Sequence, residues 1–128
     1  MRFPSFLLLA AGVAFATAGC NSTTAPSADL TGTYGLVSVQ FGTGAALLVP
    51  PTEEGSFALS ATTYNLTLTG SVPETDAGTY TATGTSWSEV SSTTAQTYTG
   101  TYALSGSILT ITTVQQGVTV VAVWQKLT

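Results

Sequence analysis

From Thr33 to Leu127 the chain is written as eight short runs rich in β-branched, aromatic and aliphatic residues, and each run stops within ten residues at a turn signal. The runs are Thr33 to Phe41, Gly55 to Ser60, Thr63 to Val72, Gly78 to Thr83, Ser86 to Ser91, Gln96 to Leu104, Ser107 to Thr113 and Val118 to Leu127. Runs of this length at this spacing are strands of a barrel or a sandwich. The 26 threonines point the same way, because a branched Cβ is stiff in a helix and comfortable on a pleated surface. From the second run onward the connections are only two to five residues long, and links that short join antiparallel neighbours. The expected fold is therefore all-β, an eight-stranded antiparallel up-and-down barrel. Closure removes the two unpaired edges that an open meander would leave. A two-sheet β-sandwich is the alternative with the same strand count.

Period-two alternation assigns faces. Tyr64, Leu66 and Leu68 project to one side of their strand, and Asn65, Thr67 and Thr69 to the other. The same pattern runs through Phe57 and Leu59, through Tyr80 and Ala82, and through Val118, Val120, Ala122 and Trp124. Other inward candidates include Tyr34, Tyr98, Tyr102, Leu104, Leu109 and Ile111. The triplet Gly-Thr-Tyr occurs at Gly32 to Tyr34, Gly78 to Tyr80 and Gly100 to Tyr102. Its irregular spacing marks a recurrent local solution rather than a solenoid repeat: glycine relieves crowding and tyrosine packs inward.

The N-terminus is an address. Arg2 is followed by an uncharged apolar run of thirteen residues, Phe6 to Ala18, which is the layout of a secretory leader and too short for a membrane span. The sequence Thr17-Ala18-Gly19-Cys20 resembles the lipobox of bacterial lipoproteins, whose cysteine is acylated and becomes the first mature residue. Acylation also accounts for a lone cysteine in an exported chain. The organisation expected is a lipoprotein signal peptide over 1–19, a flexible tether over 20–31 carrying lipidated Cys20, and a barrel domain over 32–128. Palmitate-type chains on Cys20 would hold the protein to a lipid bilayer, and Asn21 after the cysteine implies, by resemblance to enterobacterial lipoproteins, the outer membrane of the cell envelope.

Composition closes several functional classes. The chain has no histidine and one cysteine, so imidazole catalysis, histidine-bearing metal sites and disulfide frameworks lack their side chains. A formal charge of -4 has the wrong sign for nucleic acid. No enzyme, metal site or cofactor is expected.

Asp29 to Tyr34 opening the first strand, the hairpin Gly100 to Ile111, and the terminal Val123-Trp124-Gln125-Lys126 resemble the small bacterial lipocalin-like lipoproteins of the calycin superfamily. Tyr34 stands where that family carries a first-strand tryptophan, and Lys126 where it lays an arginine across that ring. The resemblance implies a lipocalin-like barrel whose first connection folds over the open mouth. On that reading Leu47, Leu48 and Val49 either form a lid or plug the barrel end as core, and Trp87, Glu89 and Trp124 are the candidates for lining the lumen. Glu89 either faces the lumen, with Trp87 and Ser91 on its side of the strand, or stands in water. The pairs Glu53-Glu54 and Glu74 with Asp76 fall in expected loops, where solvation is the ordinary reason for charge. Two functions follow: an envelope lipoprotein with a filled barrel acting as a structural or protein-interaction module, or a carrier of one small apolar ligand. Lumen volume separates them, since small-molecule sites begin near about 300 Å³.

Overall fold

The computed structural model describes residues 28–128. Cys20, the leader and most of the expected tether lie outside the described residues. Eight strands follow in order: β1 (Gly32–Phe41), β2 (Glu53–Leu59), β3 (Thr63–Gly70), β4 (Glu74–Thr83), β5 (Ser86–Ser91), β6 (Thr97–Ser105), β7 (Ile108–Gln115) and β8 (Val118–Lys126). Each pairs antiparallel with its sequence neighbour, and β1 pairs with β8 from Tyr34↔Lys126 to Phe41↔Val120, so the sheet closes on itself. The architecture is an up-and-down closed barrel, consistent with a lipocalin-like fold, and not a two-sheet sandwich.

The inward side chains fill the lower and middle barrel. Tyr34, Phe57, Tyr64, Trp87, Leu109 and Trp124 are all buried in one cluster. Phe57 sits at its centre, stacked on Trp124 at 5.0 Å and tilted against Trp87 at 6.3 Å, while Trp87 stacks on Tyr80 at 4.9 Å. Offset ring pairs of this kind add about 0.5–1.5 kcal/mol each beyond the area they bury. Leu104 keeps the inward parity but lies beside the β6–β7 turn and is 44% exposed, a departure from its expected core position.

Alternation in β1 is interrupted once. The pairing with β8 slips between Leu36 and Ser38, leaving Val37 as an extra, largely exposed residue. This bulge lets Tyr34 and Leu36 face the lumen below it and Val39 and Phe41 above it, although they differ in parity.

The recurrent glycines have a steric cause. A Cβ on Gly78 would run into the Val90 carbonyl oxygen, and one on Gly100 into the Thr112 carbonyl oxygen, so both positions require the closest backbone approach between neighbouring strands.

One end of the barrel is sealed by the chain entering it. Leu30, within the stretch read as tether, is 0% exposed. Ala28 N–H donates to the Ala82 carbonyl (2.9 Å), and the Tyr34 hydroxyl donates to the Leu30 carbonyl (2.8 Å). Beside them Tyr80 donates its hydroxyl proton to the Ser60 carbonyl at 2.6 Å. The opposite end, carrying the β1–β2, β3–β4, β5–β6 and β7–β8 connections, is open.

Candidate functional site

A cavity of about 120 Å³ occupies the open half of the lumen. Its floor is ring surface from Phe57, Tyr64 and Trp124. One wall, from β1, β7 and β8, is largely aliphatic and aromatic: Val39, Phe41, Ile111, Val120 and Ala122. The facing wall, from β4 and β5, presents Glu74, Asp76 and Glu89. Tyr98 and the β5–β6 residues Thr93 and Thr94 complete the lining beside that wall. The cavity is thus an acidic, ring-floored cup.

Two of these acids belong to a strand that sequence reading starts too late. The fourth run was expected from Gly78, whereas β4 begins at Glu74. Glu74, Asp76, Gly78, Tyr80 and Ala82 share one parity, so the strand that turns Tyr80 inward turns the carboxylates inward as well. The expectation that this pair sits in a loop is therefore corrected: Asp76 is half-buried, while Glu74, at the start of β4, lines the cup and is exposed to solvent. Glu53 and Glu54 also lie in a strand rather than a loop, opening β2; Glu53 shares the parity of Phe57 and Leu59 and is fully buried, whereas Glu54 faces outward and is exposed, as expected of a solvated charge. Its Oε1 accepts the Val72 N–H at 2.9 Å, tying β2 to the β3–β4 connection. Its Oε2 is enclosed without a hydrogen-bond partner among the described residues.

Asp76 is held by donors. Its Oδ2 accepts the Tyr64 hydroxyl (2.8 Å), and its Oδ1 accepts both the Ser91 hydroxyl (2.6 Å) and the Ala77 N–H (2.9 Å). Burial, and then the bond to Asp76, push the Tyr64 phenol far above its ordinary range. Ser91 is not poised as a nucleophile: its oxygen accepts the N–H groups of Thr93 and Thr94, both at 3.1 Å, and its proton is directed at Asp76. The network fixes the β5–β6 turn against β4.

Glu89 faces the cup, as one of the two sequence readings had it. Trp87 Nε1 donates to its Oε1 at 2.6 Å. Burial raises the Glu89 carboxyl above the usual carboxylate range; the Trp87 bond opposes this, and the charges of Asp76 and Glu74 add to it. Glu74 is raised too, by burial first and by Asp76 second. Among the described residues no cation offsets these groups from within. Lys126, the single basic side chain among the described residues, pairs in register with Tyr34 at the sealed end.

The other sequence candidates divide. Trp124 lines the cup. Trp87 does not; it is buried below, against Tyr80, and serves the site through its bond to Glu89. Leu47, Leu48 and Val49 do not line the cavity either. Beyond Gly35 the β1–β2 pairing stops, and Leu48 takes the vacated edge of β1: Val39 N–H donates to the Leu48 carbonyl and Leu48 N–H to the Val39 carbonyl, both at 2.9 Å. A segment pairing along β1 cannot also lie across the mouth. Leu48 is half-buried against the core, while Leu47 and Val49 are 59% and 42% exposed.

Among the described residues no group of three acidic or other ligating side chains stands close enough to hold a metal ion. No helix among them is long and apolar enough to cross a membrane. A scan against protein-family models, a search of curated proteins and a search of solved structures each returned no match to this chain.

Proposed function

We propose that this chain is a membrane-anchored, non-enzymatic envelope lipoprotein whose lipocalin-like barrel works as an interaction module rather than as a carrier. Cys20 is the anchor in this reading, on the strength of the short apolar run and the small residues before it. The observation that carries the rest is the filled lumen: the free volume is about 120 Å³, whereas small-molecule sites start near about 300 Å³. The space that does remain has carboxylates along one wall, which disfavours a purely apolar ligand.

Five of the nine exposed large apolar side chains among the described residues cluster at the open end, which supports an interaction there, while Leu104 and Leu127 are exposed at the sealed end. Leu47, Val49, Val72, Val114 and Val118 are all exposed, and all lie on or beside the connections that surround the mouth. Ala28 and Leu30 lie at the sealed end, so a tether attached there leaves the mouth directed away from the bilayer.

Two measurements on the full chain test the reading. Intact mass analysis after expression in a bacterial host is expected to show a chain beginning at an acylated Cys20, with Cys20→Ala unmodified. Native mass spectrometry after incubation with a bacterial lipid extract is expected to show no fatty acid, quinone or terpenoid adduct. A stoichiometric adduct of that kind would return the protein to the carriers.

A further inference from the structure

We propose that the cup is a binding site for one alkylammonium group, its head paired with Glu74 and Glu89 and its short aliphatic stem laid against the wall of β1, β7 and β8. This goes beyond the interaction role above and is independent of acylation at Cys20.

Size is the first constraint. An apolar cavity of about 150 Å³ accepts a molecule as large as benzene, so about 120 Å³ suits a group of similar or smaller bulk. A butyl stem with one nitrogen is of that order.

Charge is the second. Three carboxylates line the cup and Lys126 is at the far end of the barrel, so the cavity carries negative charge with no internal counter-ion among the described residues. Asp76 is supplied with three donors. Glu74 receives no hydrogen bond from the described residues, and Glu89 receives one, from Trp87. Burial raises both glutamates, which is the penalty a bound cation would relieve. Anions are repelled by the same wall.

The third constraint is the kind of cation. Calcium needs six to eight oxygens and magnesium an octahedral set, and the acids here do not converge closely enough for a metal ion. The cup instead offers separated carboxylates together with the ring surfaces of Tyr98 and Trp124. Aromatic faces attract an ammonium group. The aliphatic wall covers its stem. One head group with one stem uses both walls at once, and neither a bare ion nor a neutral hydrocarbon does.

The test uses the full chain in non-ionic detergent micelles at pH 7.5, titrated with n-butylammonium chloride, with n-butanol and sodium butyrate as neutral and anionic counterparts. Tryptophan fluorescence, to which Trp124 reports directly, and calorimetry are expected to show saturable one-site binding of butylammonium and no saturable response to the other two. Glu74→Gln/Glu89→Gln is expected to weaken binding at least tenfold with an unchanged near-ultraviolet dichroism spectrum. Should that variant not fold, acidification of the wild type supplies the second readout: the amine stays charged while the carboxylates protonate, so affinity must fall at least tenfold. Acetyl-Gly-Lys-Gly-amide identifies the source: binding as tight as the free amine assigns the cup to a lysine side chain of a partner, and weaker binding to a free amine. Equal binding of butanol, affinity unmoved by the double variant or by acid, or no saturation up to about 50 mM, a concentration that would detect even millimolar affinity, would overturn the proposal.

Discussion

Trp87 and Glu89 stand two residues apart on the same face of β5, and the indole N–H of the first donates to Oε1 of the second at 2.6 Å. The tryptophan belongs to the sealed core and the glutamate to the open cup, so one bond joins the part of the barrel that makes it stable to the part that carries charge. Trp87→Phe keeps a ring for the stack with Tyr80 and removes the donor. It is expected to cost about 2 kcal/mol, the scale of leaving a partly buried charged acceptor unpaired plus some lost packing. Added to Glu89→Gln the same change should cost less, and a double-mutant cycle by urea denaturation measures the difference.

The raised glutamates give a pH dependence with a definite sign. When the folded-state pKa lies above the unfolded value, the native state holds the proton more tightly, so stability is highest below the unfolded pKa and declines as pH rises through the folded one. Glu74 and Glu89 both fall in this class. Asp29, lowered chiefly by the Thr31 N–H, works in the opposite direction and favours the fold above its unfolded pKa. The difference between wild type and Glu74→Gln/Glu89→Gln isolates the cup. Thermal unfolding should show the variant gaining on wild type as pH rises from about 4.3, the ordinary glutamate value, and a difference independent of pH would contradict the assignment.

The residue that seals the barrel lies outside every strand. Leu30→Ala is expected to destabilise by about 2–4 kcal/mol, as for other buried leucines, although local secondary structure is untouched. Tyr34→Phe removes only the hydroxyl bond to the Leu30 carbonyl and should cost about 1 kcal/mol. Tyr34→Ala removes the ring as well, at about 3–5 kcal/mol. Chemical denaturation of the three variants orders them.

Gly100→Ala tests the close approach of β6 and β7. The new methyl meets the Thr112 carbonyl rather than a side chain that could swing away, so the loss should reach about 3 kcal/mol, the upper end for overpacking. Thr99→Ala, on the outer face of the same strand, serves as the control and should cost well under half as much. Equal costs would mean that the strands can separate to admit the methyl.

Strand identity was legible because each run carries its own period and its own stop. Tyr64-Asn65-Leu66-Thr67-Leu68 reads as a strand without reference to anything distant. The barrel followed from connections too short to cross a sheet. The acid wall was harder, because the charge of Glu74 and Asp76 argues for solvent while their parity with Tyr80 and Ala82 argues for the lumen. Parity prevailed, since β4 is continuous and a one-residue slip would have turned Tyr80 outward. Glu53 follows the same logic through Phe57 and Leu59. The path of Leu47 to Val49 was not legible from the segment itself. It depends on where β1 parts from β2, and that edge becomes available only when the strands are paired in space.

Because β1 lies beside β8, the C-terminal residues return to the start of β1: Leu127 N–H donates to the Thr33 carbonyl at 2.8 Å, and Thr33 N–H to the Thr128 hydroxyl at 3.2 Å. The strand order is therefore a ring in which the break between last and first is a matter of covalent bonding alone. A circular permutant that bridges Thr128 to Ala28 and opens at Gly84-Thr85 would retain all eight strand pairings, with its new ends at the sealed face and the mouth unobstructed.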